Sequence, residues 1–144
     1  MFSQRGYAAT GIRDILQVAG VTQPTLYHHF ADKASLLQTL IERHHGESQQ
    51  RLEEIIAGET TVASKLLAFV SSLFVHRCLD PRVPRLMFQA YYGPTVPEID
   101  GVLNNLTEKR FRLVVSIMKN GMRTSELAAS NAEFLALTFC SMVD

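Results

Sequence analysis

Cysteine is scarce. Cys78 and Cys140 both sit inside apolar runs, with no CxxC and no histidine pair at ligand spacing beside them. Buried thiols, rather than redox or metal-binding ones, are the ordinary outcome of that pattern. Charge is also short: charged residues make up 19% of the chain, below the usual quarter, and 14 basic side chains balance 14 acidic ones. A nonspecific polyanion binder needs an excess of base, which this sequence lacks. Residues 1–45 hold Arg5, Arg13, Lys33 and Arg43 against Asp14, Asp32 and Glu42, so no basic arm is present either. No apolar run reaches membrane-spanning length, and the start shows no basic segment leading into an apolar core. No membrane partner and a cytoplasmic location are therefore expected. Nothing resembles a nucleophile–base pair, a phosphate loop or a metal cluster. His44 and His45 point about 100° apart on a helix and cannot easily share one metal. Glu47, Glu53 and Glu54 read as a solvated helix face. No catalytic residue, no metal, no cofactor and no enzymatic activity are expected.

Strand alternation is missing too, whereas i, i+3, i+4 apolar spacing recurs along the chain. With 47% hydrophobic residues over 144 positions, a sizeable core can be buried and the fold is expected to be all-α. Ile12, Ile15, Leu16 and Ala19 form one stripe. Thr22 can cap the next helix, with Pro24 tolerated in its first turn. Asp32 can cap a long helix striped by Leu36, Leu37, Leu40, Ile41, Leu52, Ile55 and Ile56, with Gly46 interrupting its middle and Gly58 ending it. A helix from Thr60 or Thr61 is apolar nearly all round and reads as central in a bundle. Asp80-Pro81 opens a helix to Tyr92, Gly93-Pro94 breaks the chain, and a further helix runs from about Pro97 to Asn120. Ser130 and Glu133 form a capping box before an apolar final helix. That helix reaches Asp144 with its apolar face still running, and Met1–Arg5 reads as the tail of a helix. The chain is thus expected to be cut short at both ends.

The segment Gly20–Lys33 is the most informative. A first helix (Ile12–Ala19), a tight turn at Gly20-Val21 and a short second helix (Gln23–His29) supply, in order, the parts of a helix-turn-helix. Glycine at the turn adopts a left-handed conformation without steric cost. Ile15, Val21 and Leu26 are placed to form the small core between the two helices. The outer face of the second helix carries Gln, Thr, Tyr and His, groups suited to the major groove of DNA.

These residues carry a family likeness. Gly6-Tyr7, Ala9-Thr10, Ile12-Arg13-Asp14-Ile15, Ala19-Gly20-Val21-Thr22, Thr25-Leu26-Tyr27-His28-His29-Phe30 and Lys33-Ala34-Ser35-Leu36-Leu37 resemble the DNA-binding pattern of the TetR family of transcriptional regulators. The resemblance covers residues 2–41; beyond Gln50 it rests on helix order. It implies that Thr22, Gln23 and Thr25 face base edges and phosphates, and that Tyr27 and His28 touch phosphate or bases. Lys33 would pair a phosphate, and Thr10 would cap the first motif helix and reach the DNA backbone. His29 and Phe30 would be structural. Leu16 departs from the pattern, which prefers a small residue there; the added volume is expected to cost about 1–3 kcal/mol or to open the crossing slightly.

The expected architecture is a helix-turn-helix DNA-binding domain over residues 1–45, with its first helix mostly missing, followed by a helical ligand-binding and dimerisation domain over 46–144. Phe69, Phe74, His76, Phe88, Tyr91, Tyr92, Phe111 and Met118 are singly ordinary core residues. Collectively they could line a cavity for a small, largely apolar effector, a reading that the family likeness strengthens. The last helix and the Leu103–Met122 stretch are expected to form a homodimer surface, matched by a palindromic double-stranded operator. The function expected is that of a repressor released by its effector. The alternative is a ligand-binding helical dimer without a working DNA-binding head.

Overall fold

Local hydrogen bonds mark where the helices begin. Asp32 Oδ1 accepts from the Ser35 N–H at 2.7 Å, and the Ser35 hydroxyl donates to the Asp32 carbonyl at 2.9 Å. Thr61 Oγ1 accepts from the Ser64 N–H at 3.1 Å, and Asn131 Oδ1 from the Phe134 N–H at 3.0 Å. Each satisfies a donor that the first turn of a helix leaves open. The computed structural model describes residues 1–79 and 81–143, with side chains for all of these except 74–79. Among the described residues the chain forms eight helices and no strand: α1 (Phe2–Arg5), α2 (Ile12–Ala19), α3 (Gln23–His29), α4 (Lys33–Gly58), α5 (Val62–Leu79), α6 (Arg82–Tyr92), α7 (Pro97–Arg123) and α8 (Ala132–Val143). The all-α expectation holds.

Several boundaries differ from the sequence reading. Gly46 does not interrupt α4, which is continuous. A lone helical glycine costs only about 1 kcal/mol relative to alanine, and burial of Ile41, Leu52 and Ile56 along the same helix outweighs it. The start of α8 is capped by Asn131 rather than by a Ser130–Glu133 box; Glu133 instead lies 3.8 Å from Lys119. The N-cap of α6 falls on Pro81, and the capping role expected of Asp80 lies outside the described residues. Pro84 is the third residue of α6, within a first turn whose N–H groups need no helical partner. Helix α7 runs three residues beyond Asn120, and the Glu126 and Leu127 N–H groups then converge on the Gly121 carbonyl.

The chain packs as two compact units, each drawn from two separate stretches of the sequence. Unit 1 comprises residues 1–45 and 76–103; unit 2 comprises 46–75 and 104–144. In unit 1, α1 packs against α6, and Phe2, Leu26, Leu37, Ile41, Leu86 and Ile99 are buried. The single turn of α1 is thus anchored through Phe2, and Ile12 and Ile15 are half-buried.

In unit 2, Leu52, Ile56, Val62, Phe69, Val114, Met118 and Ala136 form the core, with Phe139 edge-on to Phe69 at 5.5 Å. The later part of the apolar stripe of α7, Val114, Val115, Ile117 and Met118, is buried in this core, and Arg112, Ser116 and Lys119 are exposed. Of the two helices expected to form a dimer surface, α8 alone keeps large apolar side chains exposed: Phe134, Leu137 and Met142.

Unit 2 is also fastened by a carboxylate. Glu126 Oε2 accepts from the Val62 N–H at 2.8 Å, at the start of α5, and Oε1 accepts from the Thr124 hydroxyl at 3.0 Å. The Val62 bond first, then the Thr124 bond, hold this carboxyl below the usual carboxylate range, with Lys65 adding to them against partial desolvation. A depressed folded-state pKa contributes stability that is present above the unfolded value and lost as the pH falls through the folded one. Glu126→Gln is therefore expected to lower the melting temperature at neutral pH. The gap should begin to narrow below the ordinary carboxylate value of 4.5 and close as the pH falls through the lower folded-state value. Melting curves across that range check it; an equal gap in acid would show that the charge is immaterial.

Candidate nucleic-acid interface

The motif is built from backbone geometry upward. Gly11, in an extended conformation, precedes α2, and Gly20 ends it in the left-handed region (φ 67°, ψ 27°) with its N–H on the Leu16 carbonyl. The Val21 N–H bonds the same carbonyl at 3.2 Å. A side chain at Gly20 would meet no neighbour, so its requirement for glycine is conformational rather than steric. Thr22 is extended and precedes α3, and Pro24 sits in the first turn. Leu26 is the buried residue of α3. Val21, expected beside it in the motif core, is 37% exposed.

The outer face of α3 is open. Thr22, Gln23, Pro24, Thr25, Tyr27, His28 and His29 are all exposed. Of the expected contact residues, Thr22, Gln23, Thr25, Tyr27 and His28 are therefore presented together on one short segment. Thr22 occupies the N-cap position but makes no capping bond; its hydroxyl lies 2.9 Å from that of Thr25. His29, expected to be structural, is exposed with its ring 5.1 Å from that of His28, while Phe30 is half-buried.

Two of the expected contact residues, Thr10 and Lys33, bond to the backbone of the head itself. Thr10 is fully buried and donates its hydroxyl to the Gly6 carbonyl at 2.6 Å. It neither caps α2, whose N-cap is Gly11, nor reaches a surface where a phosphate could meet it. Lys33 Nζ donates to the carbonyls of Tyr7 (2.9 Å) and Thr10 (3.1 Å), and lies 4.1 Å from the centroid of the Tyr7 ring. Its ammonium holds the 6–10 turn against the start of α4. Burial first, then the nearby charges of Glu98 and Asp32, push the Tyr7 phenol above its ordinary pKa. Tyr7 thus belongs to the head's framework, a role missed from sequence because its partner lies 26 positions away. Arg5 lies 3.7 Å from Asp14.

The expected effector residues are divided between the two units. Phe69 and Met118 are buried in the core of unit 2, and Phe111 packs against it. In unit 1, Phe88 and Tyr92 are 65% and 67% exposed on α6 with rings 5.1 Å apart, and the Tyr91 hydroxyl donates to the Leu103 carbonyl at 3.5 Å. Phe74 and His76 lie outside the described side chains. Unit 2 does hold a cavity of about 270 Å³, walled by Thr60, Lys65, Asn120, Arg123, Thr124 and Glu126 among others. None of the eight expected residues lines it. Its walls come from two distant stretches and mix these polar groups with Val62 and Ile117, so an apolar pattern alone could not point to it. Among the described residues, no helix is long and apolar enough to cross a membrane, and no group of three His, Cys, Asp or Glu side chains gathers as a metal site.

Comparison with known proteins places this head in context. The sequence profile of the bacterial regulatory proteins, tetR family, matches residues 1–40. The HTH-type transcriptional activator FasR of Mycolicibacterium smegmatis is 29% identical over 137 residues, covering 95% of this chain and 61% of FasR. The HTH-type transcriptional repressor NemR of Escherichia coli is 24% identical over 138 residues, covering 95% of this chain and 66% of NemR. The chain thus spans 61–66% of the length of these relatives. Among solved structures, the transcriptional regulator FadR from Bacillus subtilis in complex with stearoyl-CoA superposes with a TM-score of 0.86 at 20% identity, over 99% of this chain and 77% of that one. At that identity the likeness is one of fold.

Proposed function

We propose that the chain is a member of the tetR family of bacterial regulatory proteins, whose profile matches residues 1–40, and that it is a transcriptional regulator that docks α3 in the major groove of operator DNA. The observation that carries this reading is the α2–Gly20–α3 geometry, with Leu26 turned inward and five polar or aromatic contact residues held outward. Two copies, joined through the exposed α8 residues Phe134, Leu137 and Met142, would engage a palindromic site. The sign of regulation proposed is repression, as in NemR, although FasR is an activator.

A small, largely apolar effector would release the DNA. Support comes from the stearoyl-CoA bound by FadR and from Phe69, Phe111 and Met118, which belong to or pack on the apolar interior of unit 2. Helix α4 begins at Lys33, beside the reading head, and continues to Gly58, so it can carry a displacement in either direction. An effector acts only by binding the released arrangement more tightly, by a typical ~1–3 kcal/mol.

The test is binding to duplexes selected from a random pool, followed by fluorescence anisotropy. Affinity is expected to fall steeply with salt, with a slope of about −0.9 per neutralised phosphate. Tyr27→Ala should weaken binding by roughly tenfold while leaving the melting temperature unchanged, since Tyr27 is 44% exposed. Binding indifferent to both salt and Tyr27→Ala would remove the DNA contact from this surface.

A further inference from the structure

The recognition helix is defined by what it does not carry. Helix α3 reads Gln-Pro-Thr-Leu-Tyr-His-His, with no lysine or arginine and no aspartate or glutamate. Guanine is read most often by arginine or lysine on O6 and N7, and the cytosine amino group is read by a carboxylate. Neither kind of group stands on α3. The head's cations are placed elsewhere: Lys33 is tied to the Tyr7 and Thr10 carbonyls, Arg5 lies beside Asp14, Arg13 is on α2 and Arg43 is on α4.

The start of α3 offers a different chemistry. The exposed Gln23 amide carries a donor and an acceptor side by side, the complement of adenine N7 and its amino group. Thr22 and Thr25 turn their hydroxyls on each other at 2.9 Å, and the Thr25 methyl is the apolar group that this residue can offer a base edge. Pro24 and the half-open Val21 add apolar surface beside it. The one base-edge group that rewards apolar contact in the major groove is the thymine C5-methyl. His28 and His29 lie at the far end of the helix, whereas base contacts fall mainly to the N-terminal residues of a recognition helix.

Resting on the proposed docking of α3 in DNA, we infer that this head is selective for A·T pairs. Gln23 meets an adenine in each half-site, and Pro24, Thr25 and Val21 pack on the methyl groups of neighbouring thymines. Guanine readout, where the operator contains it, does not come from α3.

The full chain and a random duplex pool test this. The enriched half-site is expected to hold A·T pairs at the positions under α3. Exchanging the Gln23-facing A·T pair for G·C should weaken binding about five- to hundredfold, and Gln23→Ala should erase most of that discrimination. Replacing each thymine with deoxyuridine, which pairs identically but lacks the methyl, should cost about two- to fivefold per contacted site. Salt-sensitive binding to half-sites with G·C at these positions overturns the inference while leaving the DNA-binding proposal standing. So does a deoxyuridine series with no effect together with an unchanged preference in Gln23→Ala. Enrichment of no duplex at all overturns both.

Discussion

Phe69→Ala is expected to remove about 3–5 kcal/mol of stability, the usual cost of truncating a fully enclosed phenyl ring. Phe69 has no solvent exposure, stands edge-on to Phe139 at 5.5 Å and belongs to the cluster formed with Val114, Met118 and Ala136. Three helices of unit 2 meet around it, so no single side chain can move to fill the space. Against a typical domain stability of about 5–15 kcal/mol, the loss is roughly a fifth or more of the total. Urea unfolding followed by far-UV circular dichroism should show a lower midpoint with an unchanged slope, and Phe69→Leu should recover much of the loss. The chain has no tryptophan, and its four tyrosines, Tyr7, Tyr27, Tyr91 and Tyr92, all lie in unit 1. Tyrosine fluorescence therefore reports that unit alone. A tyrosine transition displaced together with the dichroism means that the units unfold together, and one left in place means that they do not. An unmoved dichroism midpoint would mean that Phe69 is not the core residue described.

The parts of the fold legible in the sequence are those specified by neighbouring residues. Gly20, Pro24 and Asp32 fix the ends of α2, α3 and α4 within a few positions, the first two through the backbone preferences of their residue types and Asp32 through its capping carboxylate. The helix-turn-helix could be read for that reason. Boundaries went astray where two local signals competed. Asn131 stood beside Ser130, and Gly46 weakened a helix whose buried face sustains it. Long-range roles left no local mark. Nothing adjacent to Thr10 says that its hydroxyl turns inward to Gly6, and nothing near Lys33 says that its ammonium is committed to Tyr7. Apolar periodicity predicts burial but not the partner, so the aromatic set divides into enclosed Phe69 and largely exposed Phe88 and Tyr92.

Lys33→Met is expected to lower the stability of the DNA-free protein by about 2 kcal/mol and to weaken DNA binding by more than the loss of one phosphate contact. Charge-assisted hydrogen bonds contribute about 1.5–3 kcal/mol each when shielded, and the cation over the Tyr7 ring about 0.5–1 kcal/mol. Lys33 is half-buried, so water replaces part of this and the sum is discounted accordingly. Methionine keeps the apolar stem and removes the ammonium, leaving the Thr10 carbonyl without this donor and the 6–10 turn unfastened. The salt dependence separates the two roles open to this residue. A lysine whose work is on a phosphate reduces the slope of log affinity against log salt by about one when it is removed. A lysine that holds the turn lowers affinity at every salt concentration and leaves the slope in place, because the phosphate contacts still formed are the same ones. Tyr7→Leu isolates the ring's share: it retains both carbonyl acceptors and should cost about 1 kcal/mol. Unchanged melting together with a slope reduced by one would return Lys33 to the DNA backbone and remove it from the framework of the head.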